Sequence, residues 1–355
     1  MNLDEHTKFV QIDRQDMIGQ IEGLPDQLIT AWELGSDQEL PAWKDIQRVL
    51  IVGMGGSAIG ADLLAAYVAS SCRVPVVVHR DYGVPAWAVG PRTLVIASSH
   101  SGNTEETLSA YEQALENRCS CLAISTGGGI AQNSTKNGVP LWTFQHDGQP
   151  RAAVGYSFGL LLSLFSRLEL IPDPFEELKH AVRIMQQQQM SISVQVPTSQ
   201  NLAKRLAGQL VGRWVAVIGS GVLAPVARRW KGQVSEIAKA WSQFEYLPEA
   251  DHNTLAGVEN PEEVLGRTVV LFLRSKTNHP RNQLRSDLTR RVFMVEGLGT
   301  QAVDAAGETP LANQWASLHL GDYLAYYLAM AYGVDPTPVS AIEGFKRDLA
   351  ATGEN

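Results

Sequence analysis

The sequence predicts an α/β fold made of two similar units, each a parallel β-sheet flanked by helices in a flavodoxin-like three-layer sandwich. Short apolar runs alternate with segments of helical spacing, and this alternation restarts in the second half of the chain. Strands that are apolar along their whole length are typical of parallel sheets covered by helices on both faces. The length of 355 residues also allows two domains, at roughly 150 residues each.

The first unit is predicted to open with a helix over residues 16–32, where apolar side chains recur at helical spacing. Two prolines at residues 171–175 (IPDPF) interrupt the pattern and predict the boundary between domains 1–172 and 173–355. The predicted strands are Val49–Val52, Val74–Val78, Leu94–Ala97, Leu122–Ile124 and Val139–Trp142, and the predicted helices are Ala58–Val68, Glu105–Leu115 and the apolar Tyr156–Phe165.

The second unit repeats the first at a spacing of about 170 residues. The segment RWVAVIGSG at Arg213–Gly221 matches RVLIVGMGG at Arg48–Gly56. The remaining correspondences are Thr268–Leu273 with Arg92–Ala97, and Arg291–Val295 with Cys121–Ile124. We therefore expect Arg291–Val295 to be a strand of the second sheet.

Composition narrows the class of partner. The chain carries 29 Lys+Arg against 37 Asp+Glu, a net charge of −8, which disfavours nucleic acid but not a small anion held in a local pocket. The N-terminal segment lacks the apolar stretch of a signal peptide, and no apolar run approaches the length of a membrane span. The three cysteines (Cys72, Cys119, Cys121) suit reduced thiols. We expect a cytoplasmic protein that binds a small molecule, not nucleic acid or membrane.

Two glycine- or serine-rich loops each lie between a predicted strand and a predicted helix. In GMGGSAIG, at Gly53–Gly60, the glycines permit a tight turn and a close approach of ligand to backbone N–H groups. This loop suits either a dinucleotide pyrophosphate or a small phosphate ester. In SSHSGNTEET, at Ser98–Thr107, three hydroxyls surround Gly102 before a helix. A helix cap needs one hydroxyl, so three favour a phosphate cradle.

Other candidates are isolated in the sequence. Glu236 lies on a predicted helix and His252 in a turn 16 residues later, and a carboxylate with an imidazole can move protons near neutral pH. Arg151 precedes an apolar helix, and Lys346 lies on an amphipathic C-terminal helix. Taken singly, Glu236, His252 and Lys346 are better explained as ordinary exposed side chains, whereas Arg151 suits either an anion contact or a loop cap.

Taken together, the motifs resemble the bifunctional phosphoglucose/phosphomannose isomerases of the sugar isomerase (SIS) domain superfamily. The resemblance covers nearly the whole chain, from DMIGQIEGLPDQL through VGMGGSAIGADLL and SSHSGNTEETLSAYEQA to PRAAVGYSFG. It continues through SEIAKAW and LPEADHNTLAG to LGDYLAYYLAMAYGVDPTPVSAIEGFKRDL. One departure is that Ser235 and Ile237 flank Glu236, where the family often has Asn on either side.

The resemblance implies two SIS domains and an aldose–ketose isomerase that interconverts glucose 6-phosphate or mannose 6-phosphate with fructose 6-phosphate through a cis-enediolate. It implies no cofactor and no metal, and a homodimer with active sites at the subunit interface. By position, the phosphate ligands would be Gly56, Ser57, Ser99, Ser101 and Thr104. Glu236 would be the base, Arg151 would stabilise the enediolate, and His252 (from the partner subunit) and Lys346 would open the sugar ring.

Two alternatives stay open at this stage. A non-catalytic SIS protein that senses sugar phosphates would need the SSHSGNT loop but not Glu236, His252 and Lys346. A Rossmann-type dinucleotide-binding oxidoreductase would use Gly53–Gly60 with Asp81 after the next strand. It would leave SSHSGNT and the second repeat unexplained.

Overall fold

Two parallel sheets form the framework of the chain, as predicted. The computed structural model describes residues 2–352. The first sheet has the order β2-β1-β3-β4-β5 and the second the order β7-β6-β8-β9, and every paired strand runs parallel to its neighbour. The strands are β1 Arg48–Val52, β2 Val76–His79, β3 Thr93–Ser98, β4 Ser120–Ser125, β5 Leu141–Thr143, β6 Trp214–Ser220, β7 Ser242–Leu247, β8 Thr268–Arg274 and β9 Gly299–Asp304.

Helices cover both sheets and connect the strands. The α-helices are α1 His6–Ile12, α2 Met17–Glu22, α3 Leu24–Asp37, α4 Gly55–Val68, α5 Glu105–Glu116, α6 Gly128–Asn137, α7 Val154–Arg167, α8 Phe175–Ile192, α9 Leu202–Leu210, α10 Ala224–Glu236, α11 Glu262–Leu265, α12 Pro280–Val295, α13 Pro310–Tyr332 and α14 Ser340–Thr352. The helix expected over residues 16–32 is divided at Gly23 into α2 and α3.

The strand order brings the two candidate loops together. In the first sheet β1 lies between β2 and β3. The chain runs from β1 to β2 on one side and from β3 to β4 on the other, so the direction of the connections reverses between β1 and β3. Ligands of open α/β sheets bind beside the carboxyl ends of strands at such a switch point. The segment GMGGSAIG begins directly after β1 and continues into the first turns of α4, and SSHSGNT begins at the last residue of β3; both lie at this edge.

The prediction of a strand at Arg291–Val295 is wrong. These residues are the last part of α12, and the strand of the second sheet is Gly299–Asp304. Ser286, Thr289 and Phe293 are buried at spacings of three and four, which is the pattern of one helix face. The helical pattern therefore continues through the segment, and the chain turns only at Gly297, where φ is +86°.

The helix α13 joins the two halves of the molecule. All residues from Leu311 to Met330 are buried, and a helix that is buried all round is typical of a central core position. It packs against α8, α9 and α10, and one apolar cluster runs from α3 of the first unit to α13. The two sheets are thus held in a fixed relation by a shared core.

The α8 helix begins directly after the proline-rich segment and packs against both α3 and α13. The boundary between residues 172 and 173 stays a prediction. None of the helices within residues 2–352 has the length and apolar character needed to cross a membrane.

Candidate functional site

Glu236 and Arg151, which are far apart in sequence, lie next to each other. Glu236 is the last residue of α10, and Arg151 lies in the short 3-10 turn Pro150–Ala152 before α7. The Arg151 Nη1 atom is 3.9 Å from the Glu236 Oε2 atom, and the arginine side chain is 4% exposed against 34% for the glutamate. A buried guanidinium therefore faces a carboxylate that is open to a cleft.

Arg151 is held in place by backbone carbonyls. Its Nη2 donates to the carbonyl oxygens of Pro336 (2.9 Å) and Thr337 (2.5 Å), and its Nη1 donates to Gln149 Oε1 (3.3 Å). Burial lowers the pKa of Arg151, and the charge of Glu236 opposes that shift. Because a guanidinium stays protonated in proteins, Arg151 is a fixed positive charge beside the carboxylate.

The cleft beside this pair is positive although the chain as a whole is acidic. It has a volume of about 310 Å³ and lies between the N-terminal end of α4 and the surface of α10. Asp62 binds two of its arginines, Arg80 and Arg228. Among the described residues that line the cleft, Glu236 is the single carboxylate, and the cationic ones are Arg80, Arg151, Arg228, Arg229 and Lys231. A small anion fits a cleft with this charge balance.

Gly56 allows α4 to approach the turn that carries Arg151. A Cβ atom at Gly56 would lie 2.6 Å from the carbonyl oxygen of Pro150, closer than side-chain atoms pack. The next residue, Ser57, is buried, and its Oγ accepts the N–H of His100 at 3.2 Å. Gly56 and Ser57 therefore link the first turn of α4 to Arg151 on one side and to the loop after β3 on the other.

The three hydroxyls of the loop after β3 form hydrogen bonds within the loop and leave the N-terminal end of α5 without a side-chain cap. Ser99 Oγ lies 3.0 Å from Thr104 Oγ1 and accepts the N–H of Gly102 at 3.1 Å. Ser101 is exposed, and its Oγ accepts the N–H of Asn103. Thr104 is the N-cap of α5 but its side chain does not cap that helix. Among the described residues, the first-turn N–H groups of α5 have no acceptor, which is the arrangement that binds anions.

A histidine pair connects this loop to the segment that leads to Arg151. His100 Nε2 lies 3.1 Å from His146 Nδ1, and His146 follows β5 in the chain. Burial, and then the charge of His146, lower the pKa of His100 to about 4. Burial also lowers the pKa of His146, against the charge of Asp147. The pair therefore favours neutral imidazoles, in which one ring N–H donates to the free nitrogen of the other.

His252 and Lys346 do not join this cluster within one chain. Both side chains are exposed, and neither forms a hydrogen bond or ion pair with any residue in the 2–352 range. The turn Glu249–His252 is anchored by Asp251, which accepts bonds from Arg285 (2.7 Å) and Thr289 (2.6 Å). Lys346 lies on α14, which buries no residue.

Sequence reasoning missed two cations that contact the site. Lys239 donates to the carbonyl oxygens of Glu236 and Pro336; desolvation, followed by the nearby charge of Arg151, lowers its pKa to about 8. Its backbone is left-handed, with φ at +55°, and nothing in the sequence pattern predicted this. Arg229 donates to the carbonyl oxygen of Arg151. Its position seven residues before Glu236, two helical turns away on the same face, is a signal that could have found it.

Known proteins match both halves of the chain. Residues 44–150 match the SIS domain family, and residues 199–349 match the family described as the bacterial phospho-glucose isomerase C-terminal SIS domain. A bifunctional phosphoglucose/phosphomannose isomerase of Caldicellulosiruptor bescii is 39% identical over 94% of this chain and 99% of its own length. An enzyme of the same name from Aquifex aeolicus is 30% identical over 86% of this chain and 94% of its own length.

Solved structures match the fold at low sequence identity. A hypothetical protein from Thermus thermophilus has a TM-score of 0.74 and 16% identity, covering 96% of this chain and 91% of its own. A tagatose-6-phosphate ketose/aldose isomerase from Escherichia coli has a TM-score of 0.70 and 17% identity, covering 90% of this chain and 94% of its own. These two structures support the fold alone.

Substituting Gly56 tests whether the approach of α4 positions Arg151. A methyl group in Gly56→Ala would push the Pro150 carbonyl and displace Arg151; since a 1 Å misplacement can reduce turnover about 100-fold, we expect kcat/KM to fall at least about tenfold. Gly208→Ala, on the exposed side of α9 where a Cβ meets no atom within 4 Å, is the control and should keep wild-type activity. Equal activities of the two variants in a steady-state assay would contradict this role of Gly56.

Proposed function

Because the chain belongs to the family of bifunctional phosphoglucose/phosphomannose isomerases and is therefore an aldose–ketose isomerase, we propose that it interconverts glucose 6-phosphate or mannose 6-phosphate with fructose 6-phosphate. The observation that carries the proposal is the 3.9 Å approach of Glu236 to the buried Arg151 at the edge of a positive cleft. A protein that only senses sugar phosphates does not need a carboxylate beside a buried arginine, and a dinucleotide-binding oxidoreductase gives no role to this pair.

The phosphate binds at the loop after β3 and the open end of α5. The hydroxyls of Ser99, Ser101 and Thr104 and the free N–H groups of α5 donate hydrogen bonds to it, with Gly56 and Ser57 at the neighbouring loop. This contact is remote from the reacting carbons, so its binding energy holds the sugar in place while the chemistry proceeds.

Ring opening comes next and uses His252 and Lys346. His252, with Lys346 nearby, moves a proton between the C1 hydroxyl and the ring oxygen, so the C1–O5 bond breaks and the open-chain aldehyde forms. Neither side chain has a partner among residues 2–352 of its own chain, which leaves both available to a bound substrate.

Isomerisation then takes place at C1 and C2. Glu236 removes the proton from C2, the electron pair of that bond forms the C1–C2 double bond, and the C1 oxygen takes the negative charge. Arg151 opposes this charge from its fixed position. Protonated Glu236 then gives a proton to C1, and the C2 hydroxyl proton passes to the C1 oxygen, so C2 becomes the ketone and C1 the hydroxymethyl group of fructose 6-phosphate. Since C2 is planar in the cis-enediolate, glucose 6-phosphate and mannose 6-phosphate, which differ only there, share one intermediate.

The proposal includes a homodimer in which His252 completes the site of the partner subunit. Among residues 2–352, no histidine lines the cleft beside Glu236, so we assign the ring-opening imidazole to the partner subunit. The α14 helix also leaves Ile342, Phe345 and Leu349 exposed, as a helix that packs on a second subunit would. The free cysteines further support a cytoplasmic location.

Replacing the base tests the mechanism. Glu236→Gln keeps the shape of the side chain but cannot accept the C2 proton, so we expect turnover to fall at least about 1000-fold while sugar-phosphate binding is kept. Tryptophan fluorescence measures the binding, and a coupled assay with each hexose phosphate measures turnover. The control is Glu116→Gln, at the exposed last position of α5, which should keep full activity. Turnover by Glu236→Gln near the wild-type rate would overturn the assignment.

Removing two hydroxyls tests the phosphate loop. Ser101→Ala with Thr104→Ala should raise KM about 10- to 100-fold and change kcat much less, because both residues bind a group that does not react. The check is a steady-state comparison of kcat and KM with fructose 6-phosphate. An unchanged KM would remove both residues from the substrate site.

Mixing two inactive variants tests the shared site. In a dimer of Glu236→Gln and His252→Ala chains, one site contains both mutations and the other contains neither. After unfolding and refolding of an equal mixture, we expect about a quarter of wild-type activity, since half the dimers are mixed and half their sites are intact. Each variant refolded alone is the control. A mixture as inactive as its components would contradict the exchange of His252 between subunits.

A further inference from the structure

Arg229 joins three elements of the site through one buried side chain. Its Nε and Nη2 donate to Asp322 Oδ1 (3.2 Å) and Oδ2 (2.8 Å), and Nη2 also donates to the carbonyl oxygen of Arg151 at 2.7 Å. The arginine and the aspartate side chains are each 4% exposed. Arg229 belongs to α10, Asp322 to α13 and Arg151 to the turn before α7, so the guanidinium connects all three.

We propose that Arg229 and Asp322 are positioning residues that set the separation between Glu236 and Arg151. The inference rests on the proposed function, in which this pair performs the proton transfer. Arg229 lies on the helix that ends at Glu236 and binds the backbone of Arg151 directly, so it holds the two partners at one distance.

The residue types fit this role. A guanidinium is a planar fork that binds a carboxylate through two N–H groups and still donates a further bond, whereas a lysine ammonium has no such geometry. Asp322 orients the fork from α13, the helix that is buried all round. Stability alone is a weak reason for such a pair, because replacing a buried ion pair by apolar residues of similar volume is often neutral or stabilising.

A second contact between the same two helices supplies the matched control. Trp230 Nε1 donates to the Ser317 carbonyl of α13 at 2.8 Å, and the indole packs against Gly321. Trp230 is fully buried and adjacent to Arg229, yet its bond does not involve Arg151. Trp230→Phe therefore removes one α10–α13 hydrogen bond without touching the proposed positioning contact.

The decisive variant replaces both charges. In Arg229→Met with Asp322→Leu no unpaired charge is left buried, so thermal stability should stay close to that of the wild type. The bond to the Arg151 carbonyl is lost, and we expect kcat to fall about 30- to 100-fold. KM for fructose 6-phosphate should change less than about threefold, because the phosphate loop is untouched. Wild-type kcat in this variant would overturn the proposal.

Arg229→Lys keeps the positive charge but removes the planar guanidinium. It therefore tests the positioning role even if the double variant does not fold. One ammonium cannot reproduce the fork to Asp322 together with the bond to Arg151, so we expect kcat to fall about tenfold; unchanged kcat would overturn the proposal. Trp230→Phe should keep kcat within about threefold of the wild type even where its melting temperature is lower. A loss in Trp230→Phe as large as in the double variant would reduce Arg229 to a structural role.

The experiments distinguish a failure of the proposed function from a failure of this inference. If Glu236→Gln keeps its activity, the mechanism is wrong whatever the Arg229 variants do. If Glu236→Gln is inactive and both Arg229 variants turn over normally, only the positioning role is wrong.

Discussion

The packing of α10 on α13 is the constraint on which the site depends. The α10 helix ends at Glu236 and also carries Arg229, whose side chain binds the Arg151 backbone. Two contacts hold α10 against α13. Asp322 of α13 binds Arg229 of α10, and the Trp230 indole of α10 packs so closely on Gly321 of α13 that a side chain at Gly321 would overlap the indole. Because α13 is buried along nearly its whole length, it cannot shift without disturbing the core that joins both sheets. The proposed chemistry thus depends on a helix that is buried from Leu311 to Met330.

The local charge of the candidate site is positive, opposite in sign to the net charge of −8 of the whole chain. The cleft gathers cations around Glu236, while the phosphate loop relies on hydroxyls and helix N–H groups. This division suits a substrate with one permanent charge and one transient charge. In the proposed mechanism, neutral hydroxyl and N–H donors bind the phosphate, and the buried, fixed Arg151 stabilises the transient charge of the enediolate. The net charge of the chain reveals neither the local cluster of cations nor the neutral hydrogen-bond donors.

The sequence predicted the fold, whereas the site residues that it named stay a prediction and their arrangement could not be derived from it. Alternating apolar and helical segments were enough for two parallel sheets, and the loop motifs lie at the switch point where strand order predicts ligands. Arg291–Val295 was wrongly assigned to a strand because it resembles the corresponding segment of the first repeat. The helical spacing of buried residues from Ser286 to Phe293 shows instead that the helix continues through it. The approach of Glu236 to Arg151 depends on long-range packing that no local pattern encodes. His252 and Lys346 are identified by resemblance alone, since one chain gives them no partner within residues 2–352.

Deuterium incorporation from solvent tests most directly whether Glu236 transfers a proton through an enediolate. Glucose 6-phosphate is incubated with the enzyme in D2O for many turnovers, and the hydrogen content of C2 is read by NMR spectroscopy. A carboxyl group exchanges its proton with solvent, so we predict that protium at C2 is progressively replaced by deuterium as isomerisation proceeds. Full equilibration of the sugars with no deuterium at C2 after many turnovers is the result expected of a direct hydride shift between the carbons, and it would contradict proton transfer by Glu236 through an enediolate.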